Sequence, residues 1–141
     1  MIAAEKHEEF HMAAKKPAPL RVLIVDDDPL IRWSLSEALK DRGQLVTEAA
    51  NAAAARAAIR QAQMRFDVAV VDYLLADSDD LSLLGFLRQA SPLTLIILIT
   101  AFATPELAIK AVDLGAFRVV AKPFDMYGLA DVVGDSVLGD G

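Results

Sequence analysis

The sequence lacks cysteine altogether among its 141 residues. A disulfide framework is therefore excluded, and so is any zinc site that is built on thiolates. A chain that needs no disulfide bonds loses nothing in a reducing compartment, so we expect a cytoplasmic protein.

Long hydrophobic runs are also missing. The longest one, LTLIILIT at 93–100, is much shorter than the roughly 20 residues that a membrane-spanning helix needs. The first twenty residues carry charges throughout and contain no unbroken apolar stretch, which is not the pattern of a signal peptide. We therefore expect no membrane association, and we interpret residues 1–19 as a flexible N-terminal tail.

Positive charge is scarce in this chain. It has 14 lysines and arginines against 20 aspartates and glutamates, which gives a net charge of -6. Proteins that follow a phosphate backbone need clustered basic residues, so we expect no direct nucleic-acid binding by this domain. With 55% hydrophobic and 24% charged residues, the composition is that of a globular protein. The length fits one domain, which we place at 20–138, with 139–141 as a short C-terminal end.

Short apolar runs alternate with segments of helical periodicity from residue 21 onward. Asp28, Asn51 and Thr104 are typical helix starts, and Gly43 and Gly115 are typical helix ends. The pattern predicts five strands, at 21–25, 44–49, 67–71, 93–100 and 117–121, and after each strand a helix, at 30–42, 52–64, 81–89, 105–114 and 125–137. This alternation favours an α/β fold with a doubly wound parallel sheet that is covered by helices on both faces.

Polar residues that could carry chemistry stand at the ends of four predicted strands. Asp26 and Asp27 follow the first strand, Asp72 follows the third, Thr100 ends the fourth, and Lys122 follows the fifth. In an open parallel sheet, ligands bind beyond the carboxyl ends of the strands. We therefore expect three carboxylates, a hydroxyl and an ammonium group to meet in one pocket.

This set of groups suits a divalent cation. Three carboxylates and one ammonium group leave two negative charges, and oxygen ligands select a hard ion such as Mg²⁺. A carboxylate beside Mg²⁺, a lysine and a hydroxyl is equipped for phosphoryl transfer. We interpret Asp72 as the nucleophile, because it stands alone at its strand end before a long loop. Asp27 would bind the ion directly and Asp26 through water, while Thr100 and Lys122 would hold phosphoryl oxygens.

Four segments together resemble the receiver domain of two-component response regulators: VLIVDDDPLIR, DVAVVDYLLADSDD, ILITA and GAFRVVAKPF. They occur in order, and the resemblance spans residues 20 to about 137. The phrase IRWSLSEAL is similar to receivers of the nitrogen-regulation class. The resemblance implies a flavodoxin-like fold with the strand order 2-1-3-4-5. It also implies that a histidine kinase or a phosphotransfer protein phosphorylates Asp72.

The resemblance assigns further roles around the pocket. Asp26 and Asp27 would be the family's acidic pair, and the backbone carbonyl of Leu74 would be another Mg²⁺ ligand. Thr100 and Lys122 correspond to the switch hydroxyl and the lysine of the family, and the peptide bond after this lysine is cis in most relatives. Phosphorylation would change the surface formed by the fourth helix and the fifth strand, which implies protein binding or a homodimer there.

The aromatic part of the family's switch is missing. Val119 stands where relatives usually carry a Tyr or Phe that rotates with the threonine, and a β-branched side chain cannot swing in this way. Phe117 or Phe102 could replace that ring, but we interpret both as ordinary packing residues. Leu74 and Phe102 occupy positions that in the family govern the approach of water. We therefore expect these two bulky apolar groups to slow hydrolysis of the phosphorylated form.

The loop after Asp72 also departs from the family pattern. Ala76 and Asp80 stand where proline and glycine are common, so the loop should be less rigid and more acidic. Asp77, Asp79 and Asp80 could raise the local concentration of cations, but we interpret them as a solvated acidic loop.

Two other functions are open to the sequence. Asp26 and Asp28 form an Asp-x-Asp after the first strand, as in haloacid-dehalogenase-like phosphatases, although Pro29 and Leu30 replace the pattern that usually follows. The other alternative is a receiver-like docking module that is never phosphorylated, to which the altered loop and Val119 would be suited.

Overall fold

The computed structural model describes residues 18–75, 77 and 81–138 of the chain. The strands are β1 (Arg21–Val25), β2 (Leu45–Ala49), β3 (Val68–Asp72), β4 (Leu95–Thr100) and β5 (Arg118–Ala121). The helices are α1 (Pro29–Asp41), α2 (Ala52–Gln61), α3 (Ser82–Ala90), α4 (Pro105–Asp113) and α5 (Met126–Leu138). Most of the predicted flexible tail, at 1–17, and the C-terminal end, at 139–141, lie outside the described residues.

The five strands form one parallel sheet in the order β2-β1-β3-β4-β5. Both the predicted fold class and the predicted strand order are confirmed. The three central strands β1, β3 and β4 are almost wholly buried, because helices cover both faces of the sheet. Since all strands point the same way, β1, β3, β4 and β5 present their carboxyl ends on the same side of the molecule.

Two hydrophobic clusters hold the helices against the sheet. One lies between the sheet and helices α2, α3 and α4, and it includes Leu23, Leu84 and Leu98. The other lies between the sheet and helices α1 and α5, and it includes Ile24 and Leu39. Successive residues of a strand point to opposite faces, which is why Leu23 and Ile24 belong to different clusters. Packing on both faces makes the sheet a rigid platform for its strand ends.

Local sequence signals fix where the helices begin and end. The side-chain oxygens of Asp28, Asn51 and Thr104 accept hydrogen bonds from backbone N–H groups in the first turns of α1, α2 and α4. Gly43 and Gly115 follow α1 and α4 with φ angles of 85° and 108°, where a side chain with a Cβ would be strained. The predicted roles of these five residues are confirmed.

Helix α1 buries only some of its large apolar side chains. Leu35, Ala38 and Leu39 are buried against the sheet and α5, but Leu30 and Trp33 are more than half exposed. The two exposed residues lie in the first two turns of the helix, and neither belongs to the cluster between the sheet, α1 and α5. Their apolar side chains therefore do not contribute to the hydrophobic core.

Two element boundaries differ from the prediction by more than one residue. Strand β4 begins at Leu95 rather than at 93, because the N–H of Thr94 closes a turn on the carbonyl of Ser91 over 3.0 Å. Helix α2 ends at Gln61 rather than at 64, where Ala62 adopts an extended backbone. Among the described residues, no helix is both long and apolar enough to cross a membrane.

Candidate metal centre

Three carboxylates meet at the carboxyl ends of β1 and β3. One oxygen from each of Asp26, Asp27 and Asp72 lies within 4.8 Å of the other two. Asp26 is fully buried, Asp72 is 7% exposed, and Asp27 faces solvent. The structure therefore brings together the three acidic residues that the sequence places at two separate strand ends. One side of this acidic cluster is open to water.

Lys122 reaches into the acidic cluster from the end of β5. Its Nζ lies 3.2 Å from an oxygen of Asp26 and 3.5 Å from an oxygen of Asp72. The peptide bond between Lys122 and Pro123 is cis, as the family resemblance implies. One ammonium group cannot balance three ionised carboxylates, so the cluster still favours the arrival of a further cation.

Backbone N–H groups hold two of the carboxylates in place. The N–H of Asp28 donates to Oδ1 of Asp26 over 2.9 Å, and the N–H of Leu74 donates to Oδ1 of Asp72 over 3.4 Å. The side chain of Asp28 has a different task, because it caps helix α1. Asp28 is therefore a structural residue, which confirms the interpretation made from the sequence.

Thr100 ends β4 directly beside the strand that carries Asp72. Its side chain is buried, and its Oγ1 accepts a hydrogen bond from the N–H of Phe102 over 2.9 Å. Its carbonyl accepts the N–H of Lys122 over 2.8 Å, which joins the ends of β4 and β5. Because Oγ1 is the acceptor in the contact with Phe102, the hydroxyl keeps its own proton for donation to a neighbouring oxygen.

The acidic cluster changes the proton affinity of Asp72. Burial and the neighbouring charge of Asp26 raise the pKa of the Asp72 carboxyl from 3.8 to about 6, although the ammonium group of Lys122 opposes the rise. Both causes disfavour the ionised form. At pH 7 the carboxylate is still mostly ionised, so it keeps the charge that a nucleophile needs.

Asp77 is an exposed loop residue, as interpreted from the sequence, but it also makes a contact that the sequence does not reveal. Its carboxylate oxygens accept hydrogen bonds from the N–H groups of Ala52 and Ala53, over 2.9 and 3.0 Å, at the start of α2. These bonds lower the pKa of the Asp77 carboxyl. The contact joins positions 25 residues apart, so no local pattern reveals it. Asp79 and Asp80 lie outside the described residues.

The residues interpreted as tuning or packing positions are largely exposed. Phe102 is 60% and Leu74 is 52% exposed, while Phe117 is 38% exposed. The interpretation of Phe102 as a packing residue is therefore wrong, because it lies in the loop between β4 and α4, beyond the end of the sheet. For Phe117 it holds only in part. Val119 is half-buried and packs against the cluster beneath α2, α3 and α4.

Sequence reasoning misses one cation beside the acidic cluster. In helix α1, Nη1 of Arg32 donates to the backbone carbonyl of Asp26 over 2.7 Å, and Nε donates to Glu48 of β2 over 3.2 Å. An arginine near a helix start is ordinarily solvated. One feature of the sequence could have indicated this contact: Arg32 follows Asp28 by one helical turn, which brings its side chain back toward the end of β1.

The donor set of the acidic cluster fits a hard divalent ion. Mg²⁺ binds few protein carboxylates and keeps several waters. Asp26, Asp27 and Asp72 would supply oxygen ligands from the protein side, and the exposed side beside Asp27 would admit the waters. Among the described residues, only carboxylates belong to this cluster, which favours Mg²⁺ over a softer metal.

Comparison with known proteins identifies the family. A family model described as the response regulator receiver domain matches residues 22–133. The chain therefore belongs to the response regulator receiver domains of two-component systems. It is 37% identical over 114 residues to response regulator protein PilR of Pseudomonas aeruginosa, and 36% identical over 105 residues to the DNA-binding transcriptional regulator NtrC of Escherichia coli. The similarity to the nitrogen-regulation class is thus confirmed.

These relatives are much longer than this chain. The alignments cover 80% and 74% of this chain but only 25% of PilR and 22% of NtrC, so the chain spans about a quarter of their length. A solved structure of a CheY-like receiver domain protein from Methanospirillum hungatei is 28% identical and superposes with a TM-score of 0.77. That comparison covers 84% of this chain and 94% of the other, so the likeness extends over a whole receiver domain.

We predict that Asp72→Asn stabilises the metal-free protein at neutral pH. Folding raises the pKa of this carboxyl, so its contribution to stability is complete below the unfolded-state value of 3.8 and is lost as the pH rises through about 6. Asparagine does not titrate. The advantage of the variant should therefore grow from about pH 4 to pH 7, by on the order of 2 kcal/mol, in urea unfolding with EDTA present.

Asp77→Asn is the matched control for this experiment. The pKa of Asp77 is lowered by folding, so its ionised form stabilises the protein above the unfolded-state pKa and loses that effect as the pH falls. This variant should lose stability at neutral pH rather than gain it. A constant difference between Asp72→Asn and the wild type across this pH range would contradict the raised pKa of Asp72.

Proposed function

We propose that this domain accepts a phosphoryl group on Asp72 from a histidine kinase or a phosphotransfer protein. Receiver domains of response regulators interact with such proteins. One observation carries the proposal: oxygens of Asp26, Asp27 and Asp72 lie within 4.8 Å of one another, and Nζ of Lys122 lies between the first and the last of these residues. A site of this kind combines a nucleophilic oxygen with positive charge for the transferred group.

Asp72 is the residue that forms the new bond. A carboxylate oxygen attacks the phosphorus of the donor's phosphohistidine, and the bond between phosphorus and the imidazole nitrogen breaks. The electron pair of that bond stays with the imidazole. The pKa of Asp72, about 6, supports this role because the attacking oxygen is ionised at neutral pH.

Mg²⁺, when bound, supplies positive charge that balances the phosphoryl oxygens. Asp27 would hold the ion directly, Asp26 through water, and Asp72 and the backbone carbonyl of Leu74 would complete the protein ligands. The burial of Asp26 and its bond to the N–H of Asp28 support this assignment, since they fix one carboxylate before any ion arrives.

Lys122 and Thr100 would hold the transferred group. The ammonium of Lys122 already lies 3.5 Å from Asp72, so it can pair with a phosphoryl oxygen without a large movement. The hydroxyl of Thr100 would donate its proton to a second oxygen. Movement of this side chain would disturb its contact with the N–H of Phe102 and thereby pass the change to the loop before α4. Val119 cannot contribute a rotating ring to this change.

Both alternative functions are less well supported. A phosphatase of the haloacid-dehalogenase type would use Asp26 as nucleophile and Asp28 as general acid. The carboxylate of Asp28 is instead occupied by N–H groups in the first turn of α1, so it is not available as the general acid. A docking module without phosphorylation has no use for an intact acidic cluster beside a lysine.

We expect acetyl phosphate with Mg²⁺ to add one phosphoryl group to the protein, which intact-mass spectrometry can detect. Asp72→Asn should abolish the adduct because it removes the nucleophile, whereas Asp28→Asn keeps a capping side chain and should still be labelled. Removal of Mg²⁺ with EDTA should prevent labelling of the wild type.

The same variants also separate the two alternative functions, by adduct formation and by turnover of a phosphate monoester. Failure of the wild type to form an adduct with Mg²⁺ present would favour the docking module. Turnover of a phosphate monoester that is lost in Asp28→Asn and kept in Asp72→Asn would favour the phosphatase.

Leu74 and Phe102 should prolong the life of the phosphorylated form. Both are exposed apolar side chains beside the ends of β3 and β4, where they would restrict the approach of water to the acyl phosphate. We predict that replacing both by asparagine speeds loss of the phosphoryl group several-fold, measured as decay of the labelled mass after the donor is removed. Leu93→Asn is a suitable control, because Leu93 is 69% exposed but precedes β4 at the opposite end of the sheet. Equal decay in all three proteins would contradict this role.

We propose the surface of α4 and β5 as the place where the phosphorylated domain binds another protein or a second copy of itself. Ile109 and Val112 of α4 are 64% and 55% exposed, and Phe117 is exposed just before β5. Large apolar side chains that face solvent on neighbouring elements are typical of interaction surfaces. The loop that joins Thr100 to α4 connects this surface to the acidic cluster.

We predict that beryllofluoride with Mg²⁺ increases self-association of the wild type in analytical ultracentrifugation, and that Ile109→Glu prevents the increase. A charge in a desolvated apolar contact is costly, so one substitution should be sufficient. Met64→Glu is the matched control, since Met64 has the same exposure of 64% but lies after α2. An increase in Ile109→Glu equal to that of the wild type would exclude this dimer surface.

The proposal applies to residues 20–138 as the receiver unit. Strand β1 begins at Arg21 and helix α5 ends at Leu138, which supports these limits. Direct nucleic-acid binding by the domain is not expected, given the net charge of -6. A cytoplasmic location stays a prediction.

A further inference from the structure

We infer that Arg32 is a positioning residue for the metal site, acting through the backbone of Asp26. Its guanidinium does not belong to the acidic cluster and contacts no carboxylate in it. It bonds instead to the carbonyl of Asp26, the residue that leads into Asp27, and to the side chain of Glu48. This inference rests on the proposed function of the acidic cluster as a Mg²⁺ site.

The contact between Arg32 and the carbonyl of Asp26 is short and protected. Nη1 lies 2.7 Å from the oxygen, a distance typical of charge-assisted hydrogen bonds. The side chain of Arg32 is 19% exposed, and Nε lies 3.2 Å from Glu48. The planar guanidinium can satisfy both acceptors at once in a fixed geometry. Arg32 therefore ties helix α1 to the end of β1 and to the edge strand β2.

This contact completes a set of bonds that fix the backbone of Asp26. The N–H of Asp26 donates to the carbonyl of Ala49 in β2 over 3.2 Å, and its carbonyl accepts from Arg32. The peptide plane between Asp26 and Asp27 is thus held at its carbonyl oxygen. The described residues offer the Asp27 side chain no hydrogen bond of its own, so its position depends on this backbone.

Arg32 has two opposite effects on a bound cation, and these predict opposite results. Its positive charge repels a cation, so on electrostatic grounds its removal should tighten Mg²⁺ binding. Its hydrogen bond holds the peptide that carries Asp27, so on geometric grounds its removal should weaken binding. Glu48 already balances the charge of Arg32 at 3.2 Å, and solvent screens what is left. We therefore expect the geometric effect to dominate.

The test is Mg²⁺ affinity by isothermal titration calorimetry on the unphosphorylated protein. Arg32→Gln should bind Mg²⁺ about tenfold more weakly than the wild type, since loss of an outer partner of a metal ligand typically weakens affinity by about 10 to 100-fold. Arg32→Lys should recover part of this loss, because lysine keeps the charge but cannot bond both acceptors in the same geometry. Glu48→Gln leaves Arg32 intact but weakens its anchor, and it should show a smaller loss.

Arg42→Gln is the matched control. It also removes one arginine charge next to α1 and breaks an ion pair, with Asp131 at 2.8 Å, but it lies just after the opposite end of the helix. Its Mg²⁺ affinity should equal that of the wild type. Urea unfolding with EDTA present shows whether each variant is folded, and Arg32→Lys, which keeps the charge, carries the test if Arg32→Gln is not.

The outcomes separate this inference from the proposed function. Affinity in Arg32→Gln equal to or tighter than that of the wild type would overturn the positioning role, and so would an equal loss in Arg42→Gln. A wild type that binds no Mg²⁺ would overturn the proposed function itself, together with this inference. Weaker binding confined to the variants of Arg32 and Glu48 is the expected result.

Discussion

The chemistry of the acidic cluster depends on one constraint, which is that the buried carboxylates of Asp26 and Asp72 are held close together although they carry like charges. Asp26 and Asp72 would repel each other, and one lysine at 3.2 and 3.5 Å only partly compensates. The carboxylates cannot move apart because their strands are neighbours in a sheet that is packed on both faces. Apolar packing therefore maintains an arrangement that electrostatics alone would disperse.

The proposed response to phosphorylation would draw on this unfavourable arrangement of charges. A carboxyl group whose pKa is raised to about 6 signals that its ionised form is under-compensated in the metal-free protein. A cation bound to the carboxylates, or a phosphoryl group paired with Lys122, would change that balance. The loop after Thr100 lies next to this site. Its Phe102 is 60% exposed, and the backbone N–H of Phe102 donates to the hydroxyl oxygen of Thr100. Because Val119 offers no rotating ring, this loop would carry the proposed change toward α4.

Sequence reasoning succeeded where a local pattern is tied to a single physical requirement. Asp28 precedes a proline at a helix start, and only a capping role satisfies the free N–H groups there. It failed where the partner is remote. The contact of Asp77 with α2 was missed, because nothing near Asp77 in the chain needs a carboxylate, whereas Ala52 and Ala53 offer two N–H groups across the fold. Phe102 was interpreted as a packing residue, but it lies in the loop beyond the end of β4, where it is 60% exposed.

The sequence by itself determined the five alternating elements, the parallel sheet and the identity of the residues at its strand ends, because periodicity and helix caps are local properties. It could also place Asp26, Asp72 and Lys122 at one end of the sheet, since parallel strands share a direction. Only the tertiary structure decided which groups touch: the lysine between two carboxylates, the clamp of Arg32 on a carbonyl, and the exposure of Phe102. These depend on the distances between separate strands and helices, which packing sets and which no local pattern encodes.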